Sequence, residues 1–394
     1  MKTIQITRRL DTIKETNSPN KAIESAKKLD NYLKNNSFLG YDPADVFASP
    51  VINPLKDTSI SKVIANINKR SPINFRPVLA IKKGKLPKGL GLLLSSYSRV
   101  KDTKTASDIY DYLMKNQCTG YHGPCWGNYY DWQSSGTLIQ KSVPNAISTS
   151  YVGHGILDYY DYTKNEDIIP IIKGISNFMC KDLKITQRKE GLCISYTTLK
   201  PDLVHNANVL VGSYLSRAAR LLKDDDLADF AAKAMNFTIN HQHKNGRWDY
   251  SIGLDDGKID AQLDYHQGFI LDCILWHLES NPSDDGKIHN SLIKGADFFK
   301  TLFKEDGTSY WRYPKYWPID VHNQAQGIIT FTRMKKYDDT YGILADKIID
   351  WTLKYQQSDE GYFYYQNYKK FINKIPYMRL QAWMHYALSW YLHE

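Results

Sequence analysis

The chain has 394 residues, of which 42% are hydrophobic and 24% charged, and its formal net charge is +9. The hydrophobic fraction is sufficient for a sizeable core, and no Ser/Gly-rich linker, low-complexity run or shift in composition divides the chain. These features exclude domains joined by a flexible linker, and we predict a single domain over residues 1–394.

Charge and cysteine content exclude several functional classes. The lysines are scattered, and no nucleic-acid-binding motif accompanies them, so we predict no nucleic-acid partner. The five cysteines are odd in number and form no C-x-x-C pair, which argues against a disulfide framework or a zinc site. No segment is long and apolar enough for a secretion signal or a membrane-spanning helix, so we expect a cytoplasmic protein without membrane insertion.

The strongest pattern along the chain is a repeated unit of three parts. An amphipathic helix is followed by a Gly with an aromatic-rich stretch, and then by a second helix that opens with Pro, Asp, Asn or His. Apolar residues recur three and four apart in each first helix, which is typical of one buried face. Five copies are evident, with first helices at 106–115, 172–183, 227–242, 293–303 and 343–355, glycines Gly123, Gly191, Gly246, Gly307 and Gly361, and second helices beginning near Pro144, Pro201, Asp264, Pro318 and Pro376.

A degenerate first unit precedes these five. Helices are predicted near 21–35 and 87–100, with an extra helical segment at 59–69. Residues 1–100 thus form a degenerate repeat with an N-terminal extension, and residues 101–394 form five clear helical hairpins. One hairpin cannot bury both of its apolar faces, so the units must stack on each other. We predict an all-α fold in which six hairpins close into an α/α toroid, with an open superhelix as the alternative.

Polar side chains are concentrated where the second helices begin. In a toroid these inner helices share a direction, so their N-termini gather at one rim, where partial positive charge favours an anionic ligand. We predict that proton transfer depends on His205, Tyr265, His266, His322, Asp264 and Asp320. The predicted substrate-binding residues are Trp126, Asp131, Trp132, Gln133, Asn145, Asn206, Asn208, Arg247, Trp248, Asp249, Gln267, Gln326, Arg379 and Gln381.

Each of these features also has a purely structural explanation. Asp264 and Asp320 precede helices and are suited to capping them. The Gly-aromatic segments are suited to packing between repeats. Structural need does not explain why four histidines recur close to inner-helix starts, namely His205, His266, His322 and His385. No cofactor or metal is predicted, and the sequence gives no oligomeric state.

Five segments resemble a family encoded in bacterial and archaeal polysaccharide gene clusters. They are residues 125–133, 144–151, 264–269, 320–326 and 377–384. Members are commonly labelled delta-aminolevulinic acid dehydratase, a β/α-barrel enzyme, and the absence of an alternating strand pattern contradicts that label. More distantly, the chain is similar to uronate C5-epimerases, α/α-fold polysaccharide lyases, unsaturated glucuronyl hydrolases and N-acylglucosamine 2-epimerases. This resemblance implies a role on sugars in exopolysaccharide or capsule assembly.

Four functions are compatible with these residues. A lyase or C5-epimerase holds a uronate carboxylate and moves the C5 proton, which suits the histidines with Arg379 and the amides. A glycoside hydrolase needs two carboxylates, which the aspartates supply. A glycan-binding protein needs only the aromatic and polar groups. An isoprenoid-type cyclase needs an acidic cluster in an apolar cavity, which this rim lacks. We favour the lyase or epimerase, acting on an anionic, uronate-containing oligo- or polysaccharide.

Overall fold

The computed structural model describes residues 18–56, 58–133, 138–281 and 286–394. Within these ranges the chain is mainly helical, with short strands between the helices. The helices are α1 (Ser18–Asn35), α2 (Ser59–Arg70), α3 (Pro87–Arg99), α4 (Thr103–Lys115), α5 (Ala146–Thr163), α6 (Ile169–Lys181), α7 (His205–Leu222), α8 (Asp225–Asn240), α9 (His266–Ser280), α10 (Lys287–Lys300), α11 (Val321–Met334), α12 (Asp339–Gln356) and α13 (Met378–His393).

The strands are short and lie in the connections that carry the Gly-aromatic segments. They form antiparallel pairs or three-stranded sheets, β1–β2, β3–β4, β5–β6–β7 and β8–β9–β10. Their bounds are β1 (Trp132–Gln133), β2 (Leu138–Ile139), β3 (Ile185–Arg188), β4 (Gly191–Ile194), β5 (Leu203–Val204), β6 (Ser251–Ile252), β7 (Ile259–Asp260), β8 (Ile319–Asp320), β9 (Gln366–Asn367) and β10 (Ile372–Asn373).

Six helices form a closed inner ring. In chain order α3, α5, α7, α9, α11 and α13 each pack against the next, and α13 packs back against α3. The other long helices, α1, α4, α6, α8, α10 and α12, pack outside them. The predicted α/α toroid of six hairpins is therefore confirmed, and the open superhelix is wrong. The predicted extra helix near 59–69 is α2, which lies between α1 and α3 in the chain.

Burial separates the two layers. Nearly every residue of α11 is buried, as is nearly every residue of α9, because these helices contact neighbours on all sides. The outer helix α4 instead buries one stripe, Ala106, Ile109 and Leu113, at the spacing of an amphipathic helix. No helix in the described ranges combines the length and apolarity that crossing a bilayer requires.

Glycines join neighbouring repeats at close backbone contacts. Gly307 has φ +86°, and a Cβ there would lie 2.4 Å from the carbonyl oxygen of Lys347 on α12. Gly361 has φ +95°, and its Cβ would lie 2.4 Å from the carbonyl oxygen of Lys28 on α1. The last repeat therefore meets the first through the same contact that joins consecutive repeats, and this contact closes the ring.

We expect Gly361→Ala to destabilise the protein by about 3 kcal/mol or more, because it combines a left-handed backbone with a backbone clash. Gly120→Ala is the matched control, since Gly120 has φ +87° and a methyl group there would meet nothing within 4 Å. It should cost only about 1 kcal/mol. Chemical denaturation of both variants measures the difference, and equal costs would show that ring closure does not depend on the Gly361 contact.

Candidate active site

A cavity of about 310 Å³ lies at the start of α9, α11 and α13. Asp264 and Tyr265 immediately precede α9, and Asp320 caps α11. Helix α2, from the N-terminal extension, contributes one wall. The cavity is lined by Pro43, Asn66, Lys69, Arg70, Asp264, Tyr265, Trp311, Arg312, Pro318, Asp320, His322, Asn323, Tyr365, Gln366, Tyr368, Arg379 and Leu380.

His322 is a buried imidazole with an unsatisfied nitrogen. Its ring stacks on Tyr265 at 3.9 Å between centroids and meets the Trp383 ring edge-on at 4.4 Å. Its Nε2 is buried and has no hydrogen-bond partner within the described ranges. Burial, followed by the charges of Lys88 and Arg379, holds the pKa of His322 well below its usual value. His322 is therefore neutral at physiological pH and able to accept a proton.

Tyr265 supplies a hydroxyl beside that imidazole. Its backbone N–H donates to Asn323 Oδ1 at 2.9 Å, which fixes the residue at the start of α9. Its hydroxyl makes no hydrogen bond to any described part of the protein. Burial, then the neighbouring Asp264 carboxylate, raises the pKa of Tyr265 far above neutrality. The phenol therefore stays protonated at physiological pH.

Cationic groups outnumber carboxylates around this cavity. Lys69, Arg70, Arg312 and Arg379 line it, against the two carboxylates Asp264 and Asp320. The Arg379 Nε lies 3.2 Å from a carboxylate oxygen of Asp42, so part of its charge is balanced within the protein. The excess of cations favours an anionic ligand.

Lys88, in the first turn of α3, adds a further amine. Its Nζ lies 5.0 Å from the Trp383 ring centroid, on the indole that His322 also contacts. Burial, then the charge of Arg379, lowers the pKa of Lys88 to about 7. Lys88 does not line the cavity, but no acidic side chain of the described chain is hydrogen-bonded to its amine.

His266 stands behind Tyr265 and does not line the cavity. Its Nδ1 lies 2.6 Å from Asp264 Oδ1, and its ring is 4.3 Å from the Tyr265 ring between centroids. On its other side the ring of Tyr250 lies 4.9 Å away. His266 is thus oriented by Asp264 and supports Tyr265, which is a less direct position than the predicted one.

Asp264 and Asp320 are both caps and cavity residues. Asp264 accepts from the backbone N–H of His266 at 3.1 Å, and Asp320 accepts from that of His322 at 2.9 Å. Asp320 also accepts from Gln366 Nε2 at 2.7 Å. Burial raises the pKa of Asp320 to about 6. The capping explanation therefore holds for both, without removing them from the site.

His205, which was predicted to be catalytic, lies outside the cavity. It is buried between α7 and α8, with its ring stacked on Phe237 at 5.5 Å and its Nδ1 3.4 Å from Thr238 Oγ1. Burial, then the charges of His241 and His243, lowers the pKa of His205 to about 3. The side chain points towards the outer helix and packs there, away from the cavity.

A backbone clamp accounts for three of the predicted binding amides. The Trp248 N–H donates to Gln267 Oε1 at 2.9 Å, and Gln267 Nε2 donates to the Trp248 carbonyl at 2.8 Å. Gln381 makes the same pair of bonds with Phe363. Asn208 accepts from the Ile194 N–H and donates to the Ala234 carbonyl. These amides attach the Gly-aromatic segments to the helices, in place of the predicted substrate contacts.

The clamps also define which residues point towards the barrel mouth. The clamp residues are Asn208, Gln267, Gln324 and Gln381. The residues two positions before them are Asn206, Tyr265, His322 and Arg379. The equivalent residues of the two preceding inner helices, 59 and 118 positions before Asn206, are Ile147 and Lys88. Asn206 has a buried Oδ1 without a hydrogen-bond partner in the described structure. Of these six residues, Tyr265, His322 and Arg379 line the cavity, and Asn206, Ile147 and Lys88 do not.

Two tryptophans predicted to bind substrate are wholly buried. The Trp126 and Trp248 indole N–H groups donate to the carbonyls of Leu113 and Thr238 on outer helices. Gln326 lies deeper in the barrel, where Nε2 donates to Asp272 and Oε1 accepts from Trp383. All three side chains are structural, and Gln326 supports the indole beneath His322.

The remaining predicted residues lie around the rim. Asp131 is bonded to Lys56 Nζ at 2.8 Å, and Asn145 caps α5 through the Ser148 N–H. Asp249 pairs with His243 at 2.7 Å, and Arg247 lies 3.9 Å from the same carboxylate. Trp132 and Gln133 are half-buried in β1. None of these six lines the cavity.

A second, open groove of about 750 Å³ lies on the same rim. Tyr196 and Tyr250 form part of its lining, together with residues 199–204 and 251–256. Trp132 contacts Tyr196 at 5.8 Å between ring centroids. Because Tyr250 also contacts His266, the groove adjoins the cavity and extends the available surface.

The packing role of His205 leads to a pH prediction. In the unfolded chain His205 titrates near 6.5, whereas in the folded protein its pKa is about 3, so the unfolded state binds more protons between these values. Stability should fall as pH drops through this window, by about 1.4 kcal/mol per pH unit for one such group. His205→Gln should reduce this slope and keep activity within about threefold. Thermal unfolding from pH 7.5 to 4.5 measures the slope, and loss of activity at full stability would contradict the packing role.

Comparisons with known proteins identify the fold. The sequence matches no protein-family model, and no curated protein is significantly similar to it. Solved structures are similar at the level of architecture. The GH76 alpha-mannanase of Bacteroides thetaiotaomicron has a TM-score of 0.59 at 12% identity, over 78% of this chain and 86% of that one. Cellobiose 2-epimerase from Bacillus thermoamylovorans has a TM-score of 0.58 at 13% identity, over 77% and 87% of the two chains.

An unsaturated glucuronyl hydrolase specific for heparin is similar to the same degree. Its TM-score is 0.58 at 12% identity, over 79% of this chain and 87% of that chain. At such identities the comparison establishes the shared α/α toroid and leaves the chemistry to the residues of the site. The resemblance to a polysaccharide gene-cluster family stays a prediction.

Proposed function

We propose that the protein is a carbohydrate-acting enzyme that abstracts the proton next to a uronate carboxylate, as a lyase or C5-epimerase does. The observation that carries this proposal is the neutral His322, with its buried unpartnered Nε2, in a cavity where cations outnumber carboxylates. The structurally similar proteins, which include a sugar epimerase and an unsaturated glucuronyl hydrolase, are consistent with it.

Each step of the reaction has a residue suited to it. Arg379 neutralises the substrate carboxylate, which acidifies the proton on C5, and the nearby Lys88 amine adds positive charge. The neutral His322 imidazole, which lines the cavity, accepts that proton. Tyr265 then donates a proton, either to the departing oxygen on C4 in elimination or, in epimerisation, to the face of C5 opposite the one that was deprotonated. His266, oriented by Asp264, holds Tyr265 from behind.

The adjoining groove supports an oligo- or polysaccharide substrate. Its lining combines two tyrosine rings, Tyr196 and Tyr250, with charged and hydroxyl side chains, and such surfaces bind sugar faces and hydroxyl groups. A polymer in the groove would place one sugar in the cavity and its neighbours beside Tyr250. The predicted setting in exopolysaccharide or capsule assembly agrees with such a substrate.

Glycoside hydrolysis is the second candidate. It is favoured by Asp320, whose pKa of about 6 would keep a fraction protonated for general acid catalysis. Against it, both oxygens of Asp264 and Asp320 already accept hydrogen bonds from the protein. A carboxylate fully engaged in this way is less free to act as nucleophile or acid than an unpartnered imidazole.

A panel of uronate-containing and neutral polysaccharides tests the proposal. Absorbance of unsaturated uronates identifies a lyase, a changed C5 configuration without cleavage identifies an epimerase, and new reducing ends without unsaturation identify a hydrolase. Sugar-dependent thermal shifts with no turnover would instead indicate a glycan-binding protein.

A further inference from the structure

The segment 51–86 carries a surface unlike the rest of the molecule. It holds eight of the nineteen exposed large hydrophobic side chains in the described part of the chain. The same segment contains eight Lys or Arg and one Asp, a formal charge of +7 in a chain of +9. Such a concentration of exposed apolar groups indicates an interaction site. The eight are Val51, Leu55, Ile60, Val63, Ile67, Ile73, Phe75 and Val78, and the three on α2, Ile60, Val63 and Ile67, together with the exposed basic residues of the segment are here named the basic apolar face.

The exposed apolar residues of α2 are not an unpacked part of the hydrophobic core. Its residue Ile64 packs towards the small cluster that contains Phe47, so the helix already has a buried side. Ile60, Val63 and Ile67 are 64%, 58% and 56% exposed, and their spacing of three and four places them on one outward stripe. The helix therefore presents a second apolar stripe to solvent that its own fold does not use.

We infer that the basic apolar face binds the surface of a membrane rich in anionic lipids. Exposed aliphatic side chains flanked by basic groups are the combination that inserts shallowly among headgroups while attracting their charge. Lys82 and Lys83 are exposed, lie outside the cavity lining and provide this charge. Arg76 does not, because it is buried and paired with Asp45 at 2.8 Å.

Two other occupants fit less well. Binding to a nucleic-acid backbone depends on charge and gains nothing from a stripe of isoleucine and valine. A second copy of the chain would bring two strongly positive segments together, and like charges disfavour that contact. An anionic lipid surface satisfies both the apolar and the basic components.

The basic apolar face lies next to the candidate active-site cavity. Asn66, Lys69 and Arg70 of α2 also line the candidate active-site cavity. A membrane against the outward stripe of α2 would therefore lie beside the opening of that cavity. The inference rests on surface composition and does not depend on the proposed function.

Vesicle co-sedimentation tests it. The protein should bind phosphatidylglycerol/phosphatidylcholine vesicles at least tenfold more strongly than phosphatidylcholine vesicles, and high salt should weaken this binding. The combined Ile60→Ser, Val63→Ser and Ile67→Ser variant should lose at least tenfold in partitioning. Its matched control carries Ile23→Ser and Ile343→Ser, at exposed sites on α1 and α12, and should bind as the wild type does.

Several outcomes would overturn the inference. One is the absence of sedimentation with anionic vesicles, and another is an equal loss in the control variant. Binding that the serine substitutions leave unchanged would mean charge attraction alone, as for a nucleic acid. A wild-type dimer in analytical ultracentrifugation that the triple variant dissociates would assign the face to self-association.

Discussion

Replacing His322 with Gln is expected to lower kcat by about 10³-fold, while the protein remains folded. Gln retains a polar group in the buried slot between Tyr265 and Trp383 but cannot accept a proton at neutral pH. Initial rates on the substrate found in the polysaccharide panel measure the loss, and circular dichroism with thermal unfolding checks the fold.

His266→Gln is the matched comparison for His322→Gln. Both residues are histidines that contact Tyr265, but only His322 lines the cavity. We expect His266→Gln to cost about 10-fold to 10²-fold, because it loosens Tyr265 without removing the base. A larger loss in His266→Gln than in His322→Gln would reverse the two roles.

Replacing Lys88 with Met is expected to lower kcat/KM for a uronate substrate by about 10-fold to 10²-fold, since a charge-assisted hydrogen bond contributes about 1.5–3 kcal/mol. Neutral sugars that bind should be affected much less. Lys173→Met, on the exposed side of α6, is the control and should change neither value. Equal losses on charged and neutral sugars would contradict a role in carboxylate binding.

Lys88 also predicts a loss of activity at high pH, because only its protonated form carries the charge. Its pKa of about 7 means that the ammonium is present below pH 7 and lost above it. Since kcat/KM reports the free enzyme, kcat/KM for a uronate should fall as pH rises through about 7. Lys88→Arg keeps its charge at all these pH values and should remove that fall.

The fold was predictable because both the helices of each repeat and the contacts between repeats leave recognisable patterns in the sequence. Apolar spacing marks the outer helices, and the glycines mark the close contacts between repeats, including Gly361 against α1. Helix α2 was also predicted. Its position over the cavity was not, because an insertion between two repeat helices has no counterpart from which to infer its packing.

The candidate site was less predictable. Whether a side chain reaches the cavity depends more on the direction in which it leaves the helix than on its distance from the helix start. His205 and His322 both lie at inner-helix N-termini, but one residue of register, about 100° of rotation, turns His205 towards α8. Aligning the clamp residues would have separated them. The same alignment reaches Lys88, whose importance composition and motifs did not signal.

Other residues depended on contacts that no sequence pattern encodes. Gln267 and Gln381 have the chemistry of sugar-binding amides, but each bonds to the backbone of a Gly-aromatic segment. Arg312 enters the cavity from a loop, 3.7 Å from Asp264, through tertiary packing alone. A polar residue near a site becomes a ligand contact only if its hydrogen bonds are not already made within the protein.

The most direct test follows hydrogen exchange at C5 of a uronate oligosaccharide in heavy water by NMR, with wild-type protein and His322→Gln. Proton abstraction at C5 predicts a wild-type product that either carries deuterium at C5 or has a C4–C5 double bond, and neither product with His322→Gln. Release of reducing ends with the C5 proton retained and no double bond would contradict the account and assign the chemistry to the Asp264 and Asp320 carboxylates.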